Sequence, residues 1–342
     1  MKQAVSNQPL LKVENLTVEF NTDKGITRAI NGISFNVMPG ETLAIVGESG
    51  CGKSVSSLAV MGLIPSPPGN IVDGRIEFDG NDLLSLSEKE YRNIRGNDIS
   101  MIFQEPMTAL NPVLKIKTQM IDVIRNHNKL SKKQALAKAI EMLRKVGIPS
   151  PEKRVHVYPH ELSGGMRQRV MIAMALSCSP KLLLADEPTT ALDVTIQAQV
   201  MRELVRLKEE MNMSVILVTH DLGVVAESCQ RVVVMYCGEI VEQGSVETIF
   251  ASPKHPYTKG LLQSIPIVRE KKVTRLPTIE GVVPDLFNLP AGCRFADRCP
   301  KASERCHQSS PTLQEVPLEN HLPTAPLGHQ VACFNALEQV TA

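Results

Sequence analysis

Tryptophan is absent from this 342-residue sequence, and aromatic residues make up only 4% of it. That is thin for a stacking surface that binds single-stranded nucleic acid, so no nucleic acid partner is expected. Charge of one sign is lacking too. The 37 Lys and Arg against 36 Asp and Glu leave a net charge of +1, with no global pull toward nucleic acid or anionic lipid. No apolar run approaches the roughly 20 residues that span a bilayer. The N-terminal MKQAVSNQPLLKVENLTVEF has no continuous apolar stretch of signal-peptide type. The chain is therefore expected in the cytoplasm, where disulfides rarely persist. Cys51, Cys178, Cys229 and Cys237 are scattered and read as small buried hydrophobes.

What is present points to an α/β fold with room for two or three domains. TLAIVG (Thr42–Gly47), KLLLAD (Lys181–Asp186) and SVILVT (Ser214–Thr219) read as buried parallel strands, each followed by a polar loop and a helix-like segment. Chemistry is then expected beyond the C-terminal ends of the strands. In SKKQALAKAIEMLRKVGIP, Leu136, Ala139, Ile140 and Leu143 fall at one-face helical spacing. Ser131 and Gln134 predict a capping box, and Gly147 and Pro149 a stop.

GESGCGKS fits G-x-x-x-x-G-K-[ST] in full, after a strand and before a helix. Its residues Gly47, Glu48, Ser49, Gly50, Cys51, Gly52, Lys53 and Ser54 are the candidate phosphate cradle. Glycines let the backbone bring its N–H groups to the phosphates, and the helix N-terminus adds positive potential. Lys53 offers a cation to the β- and γ-phosphates and Ser54 a hydroxyl to Mg²⁺. LLLADEP supplies the expected partner. Asp186 at the strand end can orient Mg²⁺, and Glu187 beside it can polarise the attacking water as a general base.

LSGGMRQR (Leu162–Arg169) adds a second anion site, with Ser163, Gly164 and Gly165 opening an apolar helix. This octet resembles the signature motif of ATP-binding-cassette (ABC) ATPases. Other motifs of that family match in order. Gln104 in MIFQEPMTALNP resembles its Q-loop glutamine, Ala191–Asp193 its D-loop and His220 in VTHD its switch histidine. Phe20 lies where the family places an aromatic that stacks on adenine, although a lone Phe after a strand is as often core. HPYTKGLL (His255–Leu262) and the tail that follows resemble the ATP-binding subunits of oligopeptide and dipeptide importers.

The resemblance implies a P-loop α/β domain of the ABC type over residues 1–250, with a helical subdomain at about 104–178, and an importer-specific domain at 251–342. It implies head-to-tail pairing with a second ABC ATPase subunit, a related rather than identical chain. Lys53, Ser54, Gln104, Asp186, Glu187 and His220 would serve one ATP, with Ser54, Gln104 and Asp186 around Mg²⁺. Ser163, Gly164 and Gly165 would serve the ATP of the partner, and Asp193 of the D-loop would be a further nucleotide-binding residue. Two transmembrane permease subunits and an extracytoplasmic binding protein complete the implied assembly, with this chain peripheral on the cytoplasmic face of the inner membrane. Glutathione or nickel chelates are alternative cargoes, and a non-transport ABC ATPase is the alternative class.

The last 92 residues hold 11 of the 23 prolines and little periodicity. Such a tail benefits from a crosslink or a metal. Cys293, Cys299, Cys306 and Cys333 form C-x5-C-x6-C-x26-C. Four thiolates suit tetrahedral Zn²⁺ or a [4Fe–4S] cluster. The close pairs usual for structural zinc are missing, and the importer resemblance also implies the cluster, so this four-cysteine metal site is expected to hold iron and sulfide, with Zn²⁺ the alternative. Arg294, Arg298 and Arg305 interleave with the ligands and could offset a cluster's negative charge. ATP binding is expected to depend less on this tail than assembly does, because the cassette has its own core.

Overall fold

The three apolar runs become strands in which every residue is buried: β3 (Thr42–Val46), β7 (Leu182–Asp186) and β8 (Ser214–Val218). A computed structural model describes residues 8–104, 109–189, 193–265, 278–316 and 328–336. The other strands are β1 (Leu11–Thr22), β2 (Gly25–Val37), β4 (Gly69–Phe78), β5 (Asn81–Asp82), β6 (Ile99–Ile102), β9 (Arg231–Tyr236), β10 (Glu239–Ser245), β11 (Gln314–Val316) and β12 (His329–Val331). The helices are α1 (Lys53–Val60), α2 (Glu88–Ile94), α3 (Ile116–His127), α4 (Lys132–Lys145), α5 (Pro151–Arg154), α6 (Gly164–Leu176), α7 (Val194–Met211), α8 (Leu222–Ser228), α9 (Val246–Ala251), α10 (Pro256–Gln263) and α11 (Glu304–Gln308).

The chain divides into two compact units, 1–9, 37–42 and 82–218 in the first and 10–36, 43–81 and 219–342 in the second. In the first unit β6, β7 and β8 run parallel, Leu183 standing between Ser100 and Val215. Buried on both faces, they read as the continuous Leu-, Ile- and Val-rich runs seen in the sequence. All regular elements between Gln104 and Cys178 are helices or single 3₁₀ turns among the described residues. The α4 capping box forms as its sequence predicts: Gln134 N–H donates to Ser131 Oγ and Ser131 N–H to Gln134 Oε1. Gly147 ends the helix region with φ +73°. The buried face is displaced from the expected one. Ala135, Ala139, Met142 and Leu143 are buried, while Leu136 and Ile140 are half-buried. Packing on both α3 and α6 widens the covered arc beyond one stripe.

In the second unit β1 pairs antiparallel with β4, and β3 lies parallel to β9. The tail extends the sheet that contains β3 and β9, for β9 pairs with β10, β10 with β12 and β12 with β11. The join between β10 and α10 is fixed by a buried carboxylate. Glu242 is 0% exposed. It accepts hydrogen bonds from Lys254 N–H at 2.6 Å and His255 N–H at 3.0 Å, and His329 Nε2 lies 2.7 Å away. Burial pushes the His255 imidazole down to about 4, against the pull of Glu242. It is therefore neutral, as it must be for Nδ1 to accept from Tyr257 N–H at 3.1 Å. Glu242→Ala strands two buried amides and His329. It should lower stability by about 3 kcal/mol, measured by urea unfolding, with Glu242→Gln milder. A loss below about 1 kcal/mol would contradict the fixing role.

Candidate functional site

The phosphate cradle lies in the second unit. β3 ends at Val46, the chain turns through Gly47–Gly52, and α1 begins at Lys53. Gly47, Gly50 and Gly52 adopt φ +152°, +81° and +100°. Two of these glycines also lack room for a side chain. A Cβ on Gly47 would sit 2.2 Å from Met235 O, and one on Gly52 2.7 Å from Ala29 O. Helix α1 has no side-chain cap and no acidic residue in its first turn, so its leading N–H groups and positive end are left to a ligand. Lys53 is buried, and its ammonium donates to Gly47 O at 2.8 Å and Glu48 O at 3.0 Å. Ser54 is half-buried, and Ser49 and Gly50 are exposed. Burial raises the Cys51 thiol, with Lys53 opposing, so this cysteine is an uncharged packing residue. His220 is exposed on the loop before α8. Thr219 N–H ties this loop to Ile45 O at 3.2 Å. Phe20, near the end of β1, stands opposite Gly69, where a Cβ would meet its ring at 2.8 Å.

The first unit carries the carboxylates. Asp186 closes β7 and is buried. Glu187 follows with φ +44°, a left-handed backbone that costs a non-glycine residue about 1 kcal/mol. Its N–H donates to Val218 O at 2.9 Å, which fixes it there. Gln104 Nε2 donates to Glu187 Oε2 at 3.0 Å, so the Q-loop glutamine and the candidate base, 83 residues apart, are in direct contact. Ser163 caps α6, accepting from Met166 N–H at 3.4 Å, and Ser163 and Gly164 are exposed. Gly165 approaches α7, where a Cβ would lie 3.3 Å from Ile196. Asp193 is exposed at the start of α7, and Ala191 and Leu192 of the D-loop lie outside the described residues. Sequence reasoning missed Gln168. It is buried in α6 and its amide donates to Pro188 O, joining the signature helix to the segment after Glu187. A lone amide in the apolar run VMIAMAL and its flank was the available signal.

All eight cysteines are free thiols. Cys293, Cys299, Cys306 and Cys333 line one small cavity with His255, Phe295 and Phe334. Burial raises the Cys293 and Cys333 thiols to about 11, and raises Cys299 as well. Among the described residues no group of three or more His, Cys, Asp or Glu is arranged to hold a metal ion. The thiols thus share a cavity without meeting around one ion. The three interleaved arginines face elsewhere. Arg294 Nε is 3.0 Å from Glu239, Arg298 pairs with Glu48, and Arg305 stacks 3.9 Å from the Phe334 ring centre.

A family model described as ABC transporter matches residues 30–190, and one for the C-terminal region of oligopeptide/dipeptide transporters matches 241–306. The oligopeptide transport ATP-binding protein AppD of Bacillus subtilis (strain 168) is 52% identical over 325 residues, covering 95% of this chain and 96% of that protein. The dipeptide transport ATP-binding protein DppD of Escherichia coli (strain K12) is 50% identical over 304 residues, 89% of this chain and 92% of that protein. Among solved structures, the dimeric post-hydrolysis state of the ATP-binding cassette MJ0796 bound to ADP and Pi matches with TM-score 0.63 and 28% identity, covering 69% of this chain and 98% of that one.

Glycine geometry separates two substitutions in the cradle. Gly47→Ala must displace the β9 backbone and should cost more than about 2 kcal/mol. Gly50→Ala meets nothing within 4 Å. It should cost only about 1 kcal/mol, from its φ. Thermal unfolding of the two variants checks the order, and equal losses would contradict it.

Proposed function

The chain belongs to the ABC transporter family, in its oligopeptide/dipeptide branch, and from that premise we propose that the motifs above form the ATP site of a peptide importer. The protein is an ATP-binding and hydrolysing subunit that powers peptide uptake. The contact that carries the assignment of roles is the hydrogen bond from Gln104 to Glu187. It links a candidate reporter of the γ-phosphate to the candidate base. Lys53 and the Gly47–Gly52 amides bind the phosphates, and Phe20 packs on the base. Glu187 accepts the proton of the attacking water, and His220 and Gln104 contact the γ-phosphate region. Ser54, Gln104 and Asp186 are hard oxygen donors that fit Mg²⁺, which would neutralise phosphate charge there.

Ser163, Gly164 and Gly165 open α6 without an acidic residue in its first turn, which supports a role as anion binders. They serve the ATP of a second ABC ATPase, a related chain, with Asp193 at the junction between the two. Closure then depends on the γ-phosphate, because two incomplete cradles share it. Among the described residues no helix is long and apolar enough to cross a membrane. The work is passed instead to two permease subunits at the cytoplasmic face, fed by an extracytoplasmic binding protein. In this reading the ATP-binding part runs to about residue 250 and the importer tail follows it.

We propose that the four thiols, which line one cavity, hold a [4Fe–4S] cluster rather than a single Zn²⁺, because their sequence spacing lacks the close pairs usual for structural zinc. Cys293, Cys299, Cys306 and Cys333 would ligate it, and the bound cluster would supply a crosslink to a proline-rich tail.

Two experiments test these readings. Glu187→Gln should keep ATP binding, abolish hydrolysis and hold a dimer in ATP by size-exclusion chromatography, whereas hydrolysis near the wild-type rate would remove Glu187 as the base. Protein purified without oxygen should be brown and carry about four iron and four acid-labile sulfide per chain. Any one of the four Cys→Ser changes should bleach it. A colourless protein with one tight zinc would replace the cluster by the alternative ion.

A further inference from the structure

Glu48 places a carboxylate inside a loop built to receive phosphate. Left to itself, that charge would repel the ligand. Its side chain does not stand alone. Arg298 holds both oxygens in a fork, one guanidinium nitrogen 2.6 Å from Oε2 and the other 3.0 Å from Oε1. This guanidinium is itself fixed on every side. Its side chain is 5% exposed. It donates to Tyr236 Oη at 3.2 Å and to the Glu280 carbonyl at 3.1 Å. It lies 5.8 and 5.9 Å from the Tyr236 and Phe295 ring centres. A second tail residue reaches the same loop position, since Glu48 N–H donates to the buried Tyr257 hydroxyl at 2.8 Å.

Both contacts come from beyond Phe250. They tie the tail directly to the Gly47–Ser54 loop. We propose that Arg298 is a positioning residue of the nucleotide site: it turns Glu48 away from the phosphates, cancels its charge, and so sets the affinity for ATP. The proposal rests on the reading of Gly47–Ser54 as the phosphate cradle. Arg298 touches no phosphate. Its effect passes through Glu48, and a bidentate arginine suits the task because both carboxylate oxygens must be occupied at once.

The electrostatic origin gives a signature that mere loosening of the tail would lack. In Arg298→Gln the Glu48 charge is uncompensated, and repulsion of a neighbouring anion should weaken MgATP binding about tenfold. Removing that charge as well should restore part of it. The full-length chain is titrated with MgATP by calorimetry as wild type, Arg298→Gln, Arg298→Lys and the double variant Glu48→Gln/Arg298→Gln. The expected order is wild type tightest, the double variant and Arg298→Lys intermediate, and Arg298→Gln weakest. Raising salt should narrow the gap between Arg298→Gln and wild type. A Kd for Arg298→Gln within twofold of wild type would overturn the proposal, as would a double variant as weak as Arg298→Gln alone. Should Arg298→Gln not fold, Arg298→Lys decides alone, and binding indistinguishable from wild type overturns the proposal. Lys53→Ala separates the two levels. If it binds MgATP like wild type, the cradle reading fails. If it does not bind and Arg298→Gln binds normally, only the present inference fails.

Discussion

The carboxylate of Glu242 has no exposed surface and is satisfied from three directions, by the amides of Lys254 and His255 and by the His329 ring. A polar group out of water persists only with such a set of hydrogen-bond partners. What makes this one central is where its partners lead. The two amides start α10, whose Tyr257 hydroxyl supports the amide of Glu48. His329 opens β12, which pairs with β10 beside the carboxylate. Glu242 thus helps to fix the route from the β9–β10 hairpin to the residues that buttress Glu48. The ring cluster of Tyr236, Tyr257, His255 and Phe295, with centroids 4.7 to 5.7 Å apart, packs on that same route.

Each unit contains one helix whose start is suited to an anion. Helices α1 and α6 both begin without an acidic side chain. Both therefore present a positive end, although Ser163 caps one amide of α6. The Lys53 ammonium is held on carbonyls of its own loop rather than ranging through solvent, so less rotamer entropy remains to be lost on binding. Glu187 has an unfavourable backbone conformation, retained because Val218 and Gln104 fix its two ends.

Residues whose role depends on backbone and local spacing were legible in the sequence. Gly47 and Gly52 announce a loop with no room for Cβ atoms, and Ser131 with Gln134 announces a helix start three residues apart. The buried strands were legible because parallel strands covered on both faces need unbroken apolar runs. Illegible were contacts that depend on which distant segments meet. Arg298 finds Glu48 across 250 positions, so its place in C-R-F-A-D-R-C pointed to the cysteines instead. Gln104 and Glu187 each matched a motif, but nothing in either motif gives their contact. The face of α4 was misjudged by one residue because it is covered from two sides, and periodicity alone does not count neighbours.

The distance along the chain between Glu242 and His329 has a consequence for biogenesis. Residue 242 leaves the ribosome 87 residues before its ring partner. During that interval the carboxylate keeps its hydration and the β9–β10 hairpin keeps a bare edge, of the kind that recruits foreign strands. Arg298 emerges earlier than His329, but the layer that seats the tail is completed only when β12 arrives. A nascent chain thus carries every ATP-binding motif long before it carries the support for its phosphate loop. The contacts that buttress Glu48 are thus supplied by segments that follow residue 250.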